Sequence, residues 1–319
     1  MPKIELSIIT ISYNTRQILL DCLSSILKYT KGLDYEIIVV DNGSTDGSLA
    51  MIKDFAQKHP QVKLVDAKKN LGFGRGNNLG AKKAAGEYLL FLNSDTLIFD
   101  NAIKDSLEIL KKQTKTGVYS CRLLNADRSF QPSGGHFPTL GRVFSWQFFL
   151  DDLPFVGNWF VSIHPHEPGF NFLHRLYKPQ KVSKLTETAE KYPDWVTGAF
   201  FLIKKDIFGQ VGGFDEKIFM YTEEMELCFR LAKLGYKTYY TNTPAIIHLG
   251  KASGSSYLAF TEEIKNMLYF WQKHLPAWQL PLVKLFFWLG SLLRLLIFGI
   301  IKGDAKARRA YYDALGFIF

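Results

Sequence analysis

The sequence is poor in cysteine and lacks both common glycine fingerprints for nucleotide binding. Its three cysteines, Cys22, Cys121 and Cys228, are far apart and outside any CxxC or Cys/His ligand spacing. That excludes a disulfide framework and a structural zinc site and points to a reducing compartment. After the first strand-like run stands Ser12-Tyr13-Asn14-Thr15, where a nicotinamide-dependent oxidoreductase needs G-x-G-x-x-G, and no GK[ST] completes a P-loop. The opening Met-Pro-Lys-Ile-Glu-Leu has no apolar h-region with a cleavage site, so nothing suggests export and the protein reads as cytosolic. There is no internal repeat. Hydrophobic residues at 47% and charged residues at 22% of 319 are ordinary proportions, which excludes intrinsic disorder. The formal charge is +9, yet residues 251–319 hold nine basic and four acidic side chains, so the basic excess is concentrated at the C-terminal end.

What is present is alternation. From residue 4 to about 116, short β-branched runs alternate with helical patterns, the mark of βαβ units on a mostly parallel sheet in an α/β fold. Strands are expected over 4–11, 36–40, 62–65 and 87–92, and helices over 16–29, 46–58 and 75–85. Polar clusters follow three of the strands directly: Ser12-Tyr13-Asn14, Asp41-Asn42-Gly43-Ser44 and Asn93-Ser94-Asp95. Open α/β sheets bind ligands beyond the carboxyl ends of their strands, so these clusters are expected along one edge. Residues 136–178 break the pattern with many aromatics and four of the seven histidines. A lid that contacts an acceptor and plain core packing fit that composition equally. The regular pattern returns as a strand over 195–203, a helix over about 222–234 and a strand over 236–240, and beyond 254 the chain reads as helical to the end.

Asp41 ends an apolar strand beside the backbone N–H groups of a Gly/Ser/Thr turn, which suits a nucleotide base or ribose and equally an Asx-turn, with Ser44 and Asp46 as helix caps. Leu71-Gly72-Phe73-Gly74-Arg75-Gly76-Asn77-Asn78 runs into a helix, but Asn77 stands where a dinucleotide fingerprint needs a small residue. Its glycines let the backbone approach a ligand or pack a helix closely, and Arg75 is either a diphosphate contact or a surface residue. Asp95 offers a carboxylate that a divalent cation can bridge to phosphate oxygens, and His248 after Ile246-Ile247 is a second ligand or a core histidine. In the acidic run 221–230, Thr222 can cap the helix, Glu223 meets the helix dipole, and Glu226 can pair with Arg230 four residues on. Glu224 is left near the pocket, where a carboxylate can serve as a general base.

In this order, Ile9-Thr10-Ile11-Ser12-Tyr13-Asn14, Val39-Val40-Asp41-Asn42-Gly43-Ser44, Asn70 with the glycine loop, Leu92-Asn93-Ser94-Asp95, Thr197-Gly198-Ala199-Phe200, Gly213-Phe214-Asp215-Glu216 and the Glu223-Glu224 helix resemble family 2 inverting glycosyltransferases of the GT-A fold. The resemblance covers about residues 4–255 and is strongest to the bacterial rhamnosyltransferase-type members that build O-antigen and related polysaccharides. It implies that Thr10, Ser12, Asp41 and Asn70 line the nucleotide, with Asn14, Gly72, Arg75, Asn77, Asn93 and Gly198 beside them. Asp95 would stand for the last acid of the family's DXD motif, His248 for a further ligand to Mg²⁺ or Mn²⁺, and Glu224 for the base. Two departures matter: Asn93 replaces the first acid of DXD, and Glu223-Glu224 replaces a Glu-Asp pair, which leaves Glu223 as the alternative base. The implied reaction is a single in-line displacement on dTDP-L-rhamnose, or on a UDP-hexose, by a lipid-linked saccharide. Nucleic acid is not an implied partner, and a homodimer is compatible with the pattern. The rival reading is a non-catalytic, membrane-bound assembly partner.

The expected organisation is a GT-A domain over 1–255, with an aromatic-rich insertion at about 130–194, and a helical, basic, membrane-associating region over 256–319. The apolar run 285–301 is interrupted by Arg294 and is borderline for a membrane span. On a helical wheel Lys284, Ser291, Lys302, Lys306 and Arg309 gather on one side of a wide apolar arc. This predicts that 281–309 lies in the plane of the cytoplasmic membrane face with Arg294 snorkelling, or else forms a helical hairpin packed on protein.

Overall fold

The computed structural model describes residues 3–152, 163–164, 192–250 and 256–319; most of the aromatic-rich insertion lies outside the described residues. Nine strands form one sheet: β1 (Leu6–Ser12), β2 (Tyr35–Asp41), β3 (Val62–Asp66), β4 (Tyr88–Leu92), β5 (Thr96–Leu97), β6 (Thr116–Leu124), β7 (Phe130–Gln131), β8 (Phe200–Lys204) and β9 (Lys237–His248). Their order is β3-β2-β1-β4-β8-β6-β9-β5, with β7 on β6. The helices in chain order are α1 (Arg16–Tyr29), α2 (Ser48–Lys58), α3 (Phe73–Ala81), α4 (Ala102–Lys111), α5 (Leu140–Gln147), α6 (Lys205–Gln210), α7 (Glu223–Lys233), α8 (Ser256–His274), α9 (Leu280–Arg294) and α10 (Ala305–Phe317).

β1 to β4 run parallel. Their apolar runs are unbroken because both faces are covered: Ile8, Ile9, Ile37, Ile38, Val39 and Val40 are all fully buried. α1 buries Leu19, Cys22, Leu23 and Ile26 at helical spacing against that sheet. β8 then enters antiparallel between β4 and β6. The strand expected over 195–203 is in fact two, Trp195–Val196 and β8, with a turn at Thr197-Gly198-Ala199. The predicted strand over 236–240 extends to His248 through a register shift after Tyr240, which a period-2 reading of the sequence hides.

The chain divides into two compact units, one of Met1–Gly134, Ser183–Phe219 and Glu223–Ser253, the other of Gly135–Val182, Met220–Thr222 and Gly254–Phe319. In the second, Val283, Phe287, Gly290, Ser291 and Arg294 of α9 are buried and α9 packs on α5. The guanidinium of Arg294 donates to the carbonyls of Gln147 at 2.6 Å and Trp146 at 2.7 Å and lies 4.2 Å from the centroid of the Phe149 ring. Arg294 therefore does not snorkel to a surface: its planar fork is satisfied by main-chain oxygens inside the unit. Ser291, expected on the exposed polar face, is also buried. Nor is 281–309 one helix. A π-helix spans Leu295–Ile301, Gly303 takes a φ of 70°, and Asp304 caps α10 by accepting from the N–H groups of Lys306 and Ala307. The single wheel fails because the helical phase restarts at residue 305.

Candidate functional site

The parallel register sets Ser12 opposite Asp41 at the carboxyl ends of β1 and β2, and Asn93 follows directly from β4, so the three polar clusters do share one edge. Thr10 and Ser12 are buried; the Thr10 hydroxyl has no hydrogen-bond partner, and Ser12 Oγ lies 3.4 Å from Thr15 Oγ1. Asn14, with a φ of 55°, accepts from the Thr45 N–H at 2.7 Å. Asp41 makes the expected Asx-turn: Oδ2 accepts from the N–H groups of Gly43 and Ser44, while buried Oδ1 is unpartnered. One oxygen shapes the loop, as the Asx-turn reading expected, and the other makes no hydrogen bond within the protein.

Asn42 was not singled out by the sequence reading. Its buried amide donates to the Gly72 carbonyl at 3.0 Å and lies 3.4 Å from Asn70 Oδ1, which ties the end of β2 to the glycine loop. Asn70 in turn accepts from the Gly72 N–H. Gly72 has a φ of 81°, and a Cβ there would lie 2.1 Å from the Phe219 carbonyl oxygen, so close chain packing alone requires glycine. Arg75 is exposed and donates through Nε to the Glu216 carbonyl; Asn77 is buried with an unpartnered Nδ2.

The acidic helix starts at Glu223. Thr222 precedes it in left-handed backbone, φ 80°, rather than in the extended conformation of a capping residue. Glu226 is fully buried and pairs with Arg230, as the i, i+4 spacing predicts. Glu223 is buried, with Oε2 unpartnered, whereas Glu224 keeps partial solvent access. Glu224 Oε1 accepts from the Gly198 N–H at 2.7 Å, and a Cβ on Gly198 would stand 2.7 Å from that oxygen and 2.5 Å from the Phe73 ring. The turn that splits the predicted strand is the one that holds Glu224. Burial pushes both carboxyls up; the Glu224 charge raises Glu223 further, well above the usual range, while the Gly198 N–H partly offsets the rise at Glu224.

Asn93 connects this carboxylate to the second cluster. Its N–H donates to the carbonyl of Ala199, the residue after Gly198, and its Nδ2 lies 3.4 Å from His248 Nε2. His248 Nε2 is also 3.2 Å from Asp95 Oδ1. Burial alone would raise the Asp95 carboxyl, but the hydrogen bond and charge of His248 outweigh it and hold the group below the usual range. No group of three or more His, Cys, Asp and Glu forms a metal centre among the described residues. The Asp95 and His248 donors nevertheless fit a hard or borderline divalent cation that takes its remaining ligands from diphosphate and water.

Residues 7–164 match the family model described as glycosyl transferase family 2. Over 261 residues the chain is 27% identical to the N-acetylglucosaminyl-diphospho-decaprenol L-rhamnosyltransferase of Mycobacterium tuberculosis, covering 77% of this chain and 78% of that protein. It is 23% identical to rhamnosyltransferase WbbL of Escherichia coli K12, covering 73% and 80% of the two chains. In structure it is similar to the mannosyltransferase PcManGT of Pyrobaculum calidifontis, with a TM-score of 0.55 and 15% identity over 98% of this chain and 74% of that one. A glutamate held at the edge of a parallel sheet would suit many α/β enzymes, and it is the matched sequence that narrows the choice: the chain belongs to glycosyl transferase family 2, with the GT-A fold and a rhamnosyltransferase-like sequence.

Proposed function

We propose that this glycosyltransferase moves L-rhamnose from dTDP-L-rhamnose to a lipid-linked saccharide with inversion, in the synthesis of a cell-surface polysaccharide. The observation that carries the reading is Glu224, half-buried and aimed by the Gly198 N–H, one residue from the backbone link to Asn93 and the Asp95–His248 pair. Glu224 takes the proton of the acceptor hydroxyl as that oxygen bonds to the anomeric carbon; the bond from that carbon to the diphosphate oxygen breaks, and the nucleoside diphosphate leaves. Burial and the Glu224 charge push the Glu223 carboxyl further up than its neighbour, so Glu224 is the member of the pair better suited to act as base. Asp95 and His248 would hold a divalent cation, whose chemistry is to offset charge on the diphosphate. The decaprenol-linked substrate named for the mycobacterial relative supports a lipid-linked acceptor.

The test is slow hydrolysis of a panel of nucleotide sugars by the purified protein with Mn²⁺. dTDP-L-rhamnose should turn over fastest; a UDP-hexose turning over instead would rename the donor, and no turnover of any donor would favour the non-catalytic reading. Asp95→Ala and His248→Ala should each weaken Mn²⁺-dependent donor binding, measured by calorimetry. Full hydrolysis in excess EDTA would overturn the cation's part.

The second unit supports attachment to the inner face of the cytoplasmic membrane. The helical segment Ala277–Ile301, 25 residues that include an 18-residue stretch of mean hydropathy 1.9, is long and apolar enough to cross a membrane. Its polar residues Ser291 and Arg294 face inward, while Leu282, Leu285, Leu289, Leu292, Leu296 and Ile300 are exposed at helical spacing. Lys302, Lys306, Arg308 and Arg309 follow, all exposed. A segment lying flat matches this pattern: apolar side chains enter the acyl boundary and each basic residue adds about 1 kcal/mol against anionic lipid. Replacing the four basic residues with glutamate should lower pelleting with anionic vesicles by roughly a hundred-fold or more. Wild-type protein that ignores such vesicles and dimerises with concentration would assign the stripe to a second copy.

A further inference from the structure

His248 presents each ring nitrogen to a different partner. Nε2 faces Asp95 and Asn93, while Nδ1 lies 2.7 Å from Oε1 of Gln131, a buried residue on β7. The orientation of the Gln131 amide is set by its other end. Its Nε2 donates to Asn125 Oδ1 at 2.9 Å and to the His248 carbonyl at 3.3 Å, both of which only accept. Asn125 is fixed as well, because its Nδ2 donates at 3.0 Å to Ser129 Oγ, whose own hydrogen goes to Asp127 Oδ1 at 2.6 Å. With the NH₂ end committed, the carbonyl oxygen of Gln131 must face the imidazole, and an oxygen that only accepts requires the hydrogen on Nδ1. Nε2 is then the nitrogen that faces Asp95: its hydrogen bonds to the carboxylate, and a cation held by both residues would take that hydrogen's place. The hairpin that carries Gln131 is itself pinned: Leu123 of β6 pairs with Gln131, and Asp127 accepts from the Ser129 N–H.

We propose that Gln131 is a positioning residue that holds His248 in the Nδ1–H tautomer and so presents Nε2 to a divalent cation shared with Asp95. The proposal rests on the reading above that Asp95 and His248 hold such a cation. A histidine ligand needs its second nitrogen anchored, since otherwise the neutral ring divides between two tautomers and rotates. Loss of such an outer partner typically lowers metal affinity 10–100-fold.

The experiment is a calorimetric titration of the full chain with Mn²⁺ alone, without sugar nucleotide or acceptor. Gln131→Leu should weaken binding by about 10–100-fold. Gln131→Glu keeps an acceptor for the Nδ1–H but gives up the donors to Asn125 and the His248 carbonyl, so it should stay within a few-fold of wild type. A merely structural role predicts the reverse, with both variants failing together. Wild-type affinity in Gln131→Leu, or a loss in Gln131→Glu as deep as in Gln131→Leu, overturns the proposal. Wild-type protein with no affinity for Mn²⁺, or His248→Ala with full affinity, overturns the cation reading itself and the proposal with it, and so separates the two failures.

Discussion

Replacing Glu224 with glutamine should leave folding and donor binding intact and lower turnover by about 10²-fold or more, the range for removal of a general base. Glutamine preserves shape and the acceptor for the Gly198 N–H, so the 2.7 Å contact that aims the side chain survives. What is lost is the ability to take a proton. Glu223→Gln should do far less, because Glu223 is buried and its carboxyl is pushed well above the usual range, and glutamine has the shape of the neutral form that burial favours. The sign of the pH dependence follows from the same geometry. Burial raises the Glu224 carboxyl, so kcat/KM should rise with pH through a midpoint above the ordinary glutamate range, and that limb should be absent in Glu224→Gln. Steady-state kinetics of both variants, with donor affinity measured separately, checks this. A larger loss in Glu223→Gln would transfer the base to that residue.

Arg230→Met should destabilise the protein by about 3–5 kcal/mol, against a total stability of about 5–15 kcal/mol for folded domains. Glu226 is fully buried, and Arg230 donates to it through Nε and Nη2, the latter at 2.6 Å. The same guanidinium donates to the carbonyls of Val211 and Gly213. Removing it takes the guanidinium from a buried carboxylate and from two carbonyls at once. Phe214, next to Gly213, also anchors Asn78 of α3: the Phe214 N–H donates to Asn78 Oδ1, and Asn78 Nδ2 to the Phe214 carbonyl. The loss should therefore reach the glycine loop and reduce donor affinity. The double variant Glu226→Met/Arg230→Met, which removes both charges, should recover much of the stability in chemical denaturation. If the single variant lies within about 1 kcal/mol of wild type, the pair is not holding the loop.

The sheet and its polar edge were legible in the sequence because their causes are local. Ile37 to Val40 read as a doubly buried strand from composition alone, and a polar turn directly after such a strand has to emerge at its carboxyl end. Close spacing also gave the Glu226–Arg230 pair. The sequence, however, makes Glu223 and Glu224 equivalent neighbours. The backbone of Gly198, 26 residues upstream, distinguishes them by donating its N–H to one carboxylate while the other turns inward. Gln131 reads as an ordinary glutamine after a hairpin turn, and its partner His248 is 117 residues away. Arg294 reads as an interruption in an apolar helix until α5 supplies the carbonyls that satisfy it, which turns the leucines of α9 outward. Periodicity records which side chains share a face. Which face is buried, and which polar atoms are satisfied there, depends on donors and acceptors that only the folded chain brings within 3 Å.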